Sequence, residues 1–267
     1  MARRLIEKRL PGRMEVGALS GMRRTERLDK MLARAGFGSR SDVRKLVRAG
    51  RVHVDGVPAF DAGMKIDPDG DDVRVDGERV VFREFVYLMM NKPPGVVSAT
   101  EDRREATVVD LLAPEYRRFG VFPVGRLDKD AVGLLLLTND GKLAHELLSP
   151  RRHVPKTYLV ETDGALTEGD AEAFARGVRL DDGYVALPAE LRLLDSSDCF
   201  RAEVTVVEGK FHQIKRMFQA IGRRVTFLER VRFGSLELDR SLARGAYREL
   251  TEREIALLRT PRPQRTG

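Results

Sequence analysis

The string VFPVGRLDKDAVGLLLL, residues 121–137, sets one carboxylate, Asp128, in a short polar turn between two apolar runs of strand character. Gly125 permits backbone angles closed to other residues, and Arg126 lies two positions before the acid, so the turn is able to present a charged nucleophile at the lip of a sheet. A carboxylate buried alone protonates and loses that character, so a cation is expected nearby. Taken in isolation, the same residues also fit an ordinary hairpin turn.

Candidate partners stand far along the chain. In EGKFHQIKRMFQAIG, residues 208–222, Phe211, Ile214, Phe218 and Ile221 have the spacing of a helix's apolar stripe. Lys215 lies beside that stripe and Arg216 is a possible understudy, although a lone lysine on such a helix is ordinarily a surface residue. Tyr158, in KTYLV, has a strand setting, where an aromatic is ordinarily core or rim. In the NKPPG loop, Asn91 to Gly95, two prolines fix a backbone able to brace the Asp128 turn, a structural role.

These groups need a scaffold, and 267 residues suffice for one sizeable core plus a smaller module, with 42% hydrophobic and 33% charged residues as in soluble globular proteins. Residues 1–22 lack periodicity and read as a flexible extension, with Met22 an alternative start. Leu28, Met31, Leu32 and Ala35 mark one face of a helix that Gly36 and Gly38 end. Ser39 or Ser41 caps a second helix with Val43, Leu46 and Val47 inward, and Gly50 closes it. RVHVDG and the segment after it carry strand alternation and Asp-Gly turns. From about residue 82 a second unit begins. Strands are predicted near 86–90, 122–124, 134–138, 157–161 and 201–208, and helices near 143–148, 169–176, 213–221 and 251–258. Several junctions are too short for helical crossovers, so an α+β fold with a mixed, largely antiparallel sheet is expected.

Charge is uneven. Residues 1–56 hold 15 Lys/Arg against 6 Asp/Glu, so the rest of a chain of net charge +7 is slightly acidic. Arg40, Arg44, Lys45, Arg48 and Arg51 project from the second helix and its surroundings, and suit the phosphates of a nucleic acid better than a membrane surface, since few large apolar residues are left uncommitted to a core.

Other classes are excluded by what the motifs lack. The longest aliphatic run, Leu134 to Leu137, does not span a bilayer, and the basic N-terminus has no apolar signal core. The single Cys199 forms no internal disulfide, reads as core filler, and fits a reducing cytoplasm. DPDGDD, residues 67–72, has its glycine at the wrong position for a calcium loop, and the four histidines show no metal spacing. A Walker loop and a strand-linked GxGxxG are both missing.

The Asp128 string, continued through LTNDGKLAHELLSPRRHVPKTYLV and joined with EGKFHQIKRMFQAIG, resembles the RsuA-type rRNA pseudouridine synthases over about Thr25 to Arg259. RLDKMLARAGFGSRSDVRKLVRAGRVHVDG resembles the S4-like RNA-binding domain. The resemblance implies an S4-like domain at 23–81, a synthase domain with a bent sheet and central cleft at 82–259, and a short tail at 260–267. It implies cofactor-independent isomerisation of a uridine: the N-glycosidic bond breaks, the uracil turns, and the ribose carbon rejoins at C5. Asp128 is then the ionised carboxylate, acting as nucleophile or assisting proton loss from the sugar. Lys215 is its ion-pair partner, Ile214 packs beside it, Tyr158 meets the target base, and Arg126 holds the flipped nucleotide or fills its place.

Ala131 departs from the family's usual Thr, removing a hydroxyl but no reacting group. KTYLV, EGKFHQIKRMF and GAYRELTEREIALL look most like the small-subunit rRNA enzyme. Enzymes of the large subunit share most of these strings, and a non-catalytic ribosome-assembly factor that retains the fold is the reading from another class. The expected partner of this monomeric, non-membrane protein is ribosomal RNA or a partly assembled ribosomal subunit, with no cofactor and no metal.

Overall fold

Four consecutive leucines cannot alternate between core and solvent, so the strand that holds Leu134 to Leu137 must be covered on both faces. The computed structural model describes residues 25–80, 82–194 and 200–260, and builds such a strand into a nine-stranded sheet. Leu135 and Leu137 enter one apolar cluster, Leu134 and Leu136 the other.

The chain begins with a small unit. Strand β1 (Glu26–Arg27) leads into helix α1 (Leu28–Arg34), followed by α2 (Arg40–Arg48), β2 (Val52–Val54), β3 (Val57–Pro58), β4 (Lys65–Ile66), β5 (Val73–Val75) and β6 (Glu78–Arg79). Ser39, not Ser41, caps α2: its hydroxyl accepts from Asp42 N while the Asp42 carboxylate accepts from Ser39 N, a reciprocal cap contributing about 1 kcal/mol. The helices end at Ala35 and Ala49, and Gly36 and Gly50 follow in left-handed conformation. Of the three Asp-Gly pairs in this unit, Asp55–Gly56 and Asp76–Gly77 have positive φ at both residues and turn antiparallel hairpins, whereas Asp69–Gly70 does not take that conformation. Leu28, Met31, Leu32, Val43 and Val47 meet the strands in a separate core, while Ala35 and Leu46 are only half-buried.

The larger unit comprises β7 (Tyr87–Lys92), α3 (Pro114–Arg117), β8 (Phe122–Pro123), β9 (Val132–Thr138), α4 (Gly141–Leu148), β10 (Lys156–Thr162), α5 (Glu168–Arg176), β11 (Glu190–Leu193), β12 (Arg201–Val206), α6 (Gln213–Ala220), β13 (Val225–Phe233), β14 (Leu236–Glu237), β15 (Tyr247–Glu249) and α7 (Glu252–Arg259). The sheet runs β11-β12-β10-β13-β9-β7-β15, with β14 on β13 and β8 on β9. Every pairing is antiparallel except β9 with β13. Helix α6 covers one face through Ile214, Met217 and Phe218, and Phe218 meets Phe174 of α5 with ring centroids 5.0 Å apart. Helices α4 and α7 cover the other. Arg34 joins the two units by an ion pair to Glu84, 3.2 Å.

Strand β13 is absent from the expected elements, because VTFLERVRF interrupts its apolar pattern with charges. Two of those charges are buried: Glu229 pairs with Arg240 and Arg244, and Arg230 donates through Nε to Leu134 O while its Nη2 is left without a hydrogen-bond partner. The parallel crossing is tight. A Cβ at Gly133, φ +99°, would lie 2.4 Å from Arg230 O, so only glycine lets β9 and β13 meet one residue pair past the Asp128 turn. The edge pairings by β11 and β15 and the short helix α3 also go beyond the sequence reading. Cys199 and the segments 1–22 and 261–267 lie outside the described residues.

Candidate active site

The turn that carries Asp128 is fixed by its main chain. Leu127 N donates to Ser98 Oγ (3.0 Å), and that hydroxyl donates back to Leu127 O (2.9 Å). Gly95 N donates to Lys129 O (2.8 Å), and Ala131 N closes the turn on Asp128 O (3.2 Å). Lys92, fully buried, spreads its ammonium over the carbonyls of Pro93 (3.0 Å), Lys129 (3.2 Å) and Ala131 (2.8 Å). Three donors thus meet three acceptors. Desolvation pushes the Lys92 ammonium down to about 8, against the pull of Asp130 and Asp128. The NKPPG segment therefore braces the turn as expected, but through a lysine that the sequence reading passed over in favour of its prolines. The position-131 hydroxyl that this chain lacks is not needed for that clamp.

Asp128 is held between two bases from the start of α6. Its Oδ2 is 3.2 Å from Lys215 Nζ and its Oδ1 is 3.6 Å from His212 Nε2, with a quarter of the carboxylate side chain exposed. Lys215 is shared: it sits closer to Asp130, at 2.6 Å and 2.9 Å from the two oxygens. Its hydrogen bonds to Asp130 and Asp128 outweigh desolvation and hold the ammonium above its ordinary pKa, while the Asp130 carboxyl is held below its own by the Lys215 bond. Both charges persist at neutral pH.

The turn opens on a cavity of about 860 Å³, within the range of small-ligand sites. Gly125, Arg126, Asp128, Tyr158, Ile214 and His212 all line it. Gly125 has φ +80°, and a Cβ there would press Leu148 at 3.0 Å. Tyr158 and Ile214 are buried in its wall, and Arg126 is exposed with no carboxylate partner among the described residues. Four positions dispersed from 126 to 214 therefore share one concavity, and Lys215 stands behind it against Asp128.

Two expectations fail. Phe211 is not on the helix stripe: α6 starts at Gln213, because His212 takes a left-handed φ of 47°, and Phe211 is left exposed. Met217 takes the core place instead. Arg216 is no understudy, since one residue along the helix turns it from the carboxylate toward Asp181 and Asp182, the latter at 2.6 Å. Glu208, not singled out by sequence, ties the cavity wall together by accepting from Tyr184 Oη (2.7 Å), Leu187 N (2.9 Å) and Gln213 Nε2 (2.6 Å).

On the small unit, Arg40, Arg44, Lys45, Arg48 and Arg51 are all exposed. Arg44 lies 3.6 Å from Asp29, a fully buried carboxylate that Arg27 also holds, while Lys45 pairs with Asp42 and Arg51 with Asp76. Arg40 and Arg48 have no ion-pair partner among the described residues. No group of three or more potential metal ligands occurs there, and no helix is long and apolar enough to cross a membrane.

The profile of a family described as RNA pseudouridylate synthase matches residues 86–220, and that of the S4 domain matches residues 26–73. The chain belongs to the RNA pseudouridylate synthase family. An uncharacterized RNA pseudouridine synthase of Bacillus subtilis is 53% identical over 237 residues, 88% of this chain and 99% of that one. The ribosomal small subunit pseudouridine synthase A of Escherichia coli is 40% identical over 232 residues, 86% of this chain and 98% of the other. A crystal structure of a pseudouridylate synthase superposes with TM-score 0.62 at 35% identity, covering 87% of this chain and 99% of its own. The fold is that of an S4 domain followed by a synthase domain, and the protein is a pseudouridine synthase of RsuA type.

Proposed function

We propose that this synthase isomerises one uridine of small-subunit ribosomal RNA, with Asp128 as the reacting carboxylate. The observation that carries the reading is the Asp128 oxygen pair set between Lys215 and His212 on a cavity wall that it shares with Tyr158 and Ile214. The small-subunit assignment is supported by relatives of that name at 40–41% identity over nearly their whole length.

In the reaction the C1′–N1 bond breaks, a C1′–C5 bond forms, C5 loses a proton and N1 gains one, so atoms and charge balance without a co-substrate. Asp128 acts as nucleophile at the sugar or takes a proton from it, and either role needs an ionised carboxylate, which Lys215 Nζ faces at 3.2 Å. A uridine inside folded RNA hides its glycosidic bond and must leave the stack. Tyr158 offers the extruded uracil a flat face worth about 1–3 kcal/mol, and Ile214 helps exclude water. Arg126, free at the rim, contacts phosphate. The module of residues 23–81 docks on RNA phosphates through Arg40, Arg44, Lys45, Arg48 and Arg51, and presents the strand to the domain of residues 82–259. The place of action is the cytoplasm, where ribosomal RNA or a partly assembled subunit is met.

The test is pseudouridine mapping in small- and large-subunit rRNA transcripts treated with wild type and Asp128→Asn. Conversion of one small-subunit uridine by wild type and none by the variant, at RNA affinity unchanged within about twofold, is expected. Conversion only in the large subunit would reassign the substrate. No conversion in either RNA would leave a binding protein that kept the fold.

A further inference from the structure

Phe211 is the most exposed residue beside Asp128's cavity whose side chain is wholly apolar, with 74% of its surface open. An exposed phenylalanine forgoes the burial that a core position would give its ring. Its ring lies flat on the His212 imidazole, with centroids 3.8 Å apart and planes 18° from parallel. His212 holds a left-handed backbone, which disfavours a non-glycine residue, and its side chain does not cap α6. That backbone is what turns Phe211 out of the helix stripe. Lys210, its ammonium 4.8 Å over the Tyr184 ring, and Arg126 line the same cavity, so a flat ring and two exposed cations share its lining. Aromatic faces set among cations are how proteins hold single-stranded nucleic acid without reading its sequence.

Resting on the reading above, we propose that Phe211, backed by His212, is a stacking platform for the nucleobase adjoining the extruded uridine. When one base leaves a stack, its neighbour loses a partner, and the outward face of Phe211 replaces it. Tyr158 takes the target base inside the cavity and Phe211 takes the flanking base at its edge. Because every base has a π-face, the platform adds affinity and leaves the choice of site to other contacts.

The experiment uses the full-length protein and the rRNA fragment around the uridine that wild type converts, intact or with an abasic nucleotide on either side of it. Phe211→Ala should raise KM about 10-fold with kcat within about twofold; Phe211→Trp should restore the wild-type KM and Phe211→Leu should not. One of the two abasic substitutions should weaken binding to wild type about 10-fold and to Phe211→Ala less than about twofold. Equal abasic penalties in both proteins, a Phe211→Ala variant that matches wild type, or a leucine as good as tryptophan overturns the platform. A wild type that converts no uridine in either ribosomal RNA removes the parent reading, and the platform with it; an active wild type indifferent to Phe211 removes the platform alone.

Discussion

Lys92 Nζ lies 2.8 Å from the carbonyl oxygen of Ala131, three residues beyond the carboxylate that faces the cavity. The bond ties the end of β7 to the start of β9 across the Asp128 turn. Lys92→Met takes a donor from each of three carbonyls, of which Lys129 O keeps Gly95 N, and a loss of about 3 kcal/mol in urea unfolding is expected, with kcat down at least about 10-fold and RNA affinity kept. Intact turnover in the variant would remove the clamp from the account.

The same lysine sets a pH dependence. Its proton leaves the folded protein near pH 8 but the unfolded chain only near 10.5, so between those values the native state binds fewer protons and unfolding free energy rises with pH. Below pH 8 the cost of burying the ammonium is constant. Wild type should therefore gain stability over Lys92→Met as pH climbs through that window, as followed by urea titration. Lys215 behaves oppositely: its raised pKa contributes stability in full below about 10.5, lost only as pH rises through the higher folded value, so it does not produce a limb near pH 8.

Two carboxylates share Lys215, and geometry alone would favour Asp130, the nearer. Asp130 is three-quarters exposed, whereas Asp128 faces the cavity. Asp130→Asn should keep kcat within about threefold, while Asp128→Asn abolishes it and Lys215→Met lowers it at least about 100-fold. Single-turnover assays on the rRNA transcript check all three, and a dead Asp130→Asn would exchange the roles of the two acids.

Gly133→Ala sets a methyl 2.4 Å from Arg230 O in a positive-φ backbone. A loss of at least about 3 kcal/mol, a fall in Tm of about 6–12 °C, is expected. Gly141, with open space around its Cβ position, is the control, and Gly141→Ala should move Tm by no more than about 2 °C.

On the small unit the cations differ in availability. Arg40 and Arg48 have no ion pair to break, so replacing each by Ala should lower the slope of log affinity against log salt by about 0.7–0.9. Lys45 and Arg51 must first leave Asp42 and Asp76, and their alanine variants should change the slope less. Filter binding across a salt series reads both.

Local signals with a mechanical cause were legible in the sequence. A serine cap on the second helix, the Asp55–Gly56 and Asp76–Gly77 hairpins and the leucine run were readable, although Ser39 and Ser41 both stood open as the cap, and residues 126, 128, 158 and 214 line one cavity with Lys215 against Asp128. What escaped depended on distant partners. Strand β13 is masked because Glu229 and Arg230 find their counter-groups in other elements. Phe211 keeps a helical spacing that the conformation of His212 breaks, and Arg216 differs from Lys215 by one step of helical rotation. Lys92 looked like a loop residue because its three acceptors are carbonyls, which carry no side-chain signature.

Since those carbonyls and the Ser98 hydroxyl define the backbone of the Asp128 turn, its shape does not rest on the exposed side chains at positions 129 and 130, which pair with Glu105 and with Lys215. The loop works as a socket with interchangeable rim fittings. Mutational drift at position 129 is thus free to retune how the enzyme greets its RNA without displacing the acid, whereas position 130 also holds Lys215.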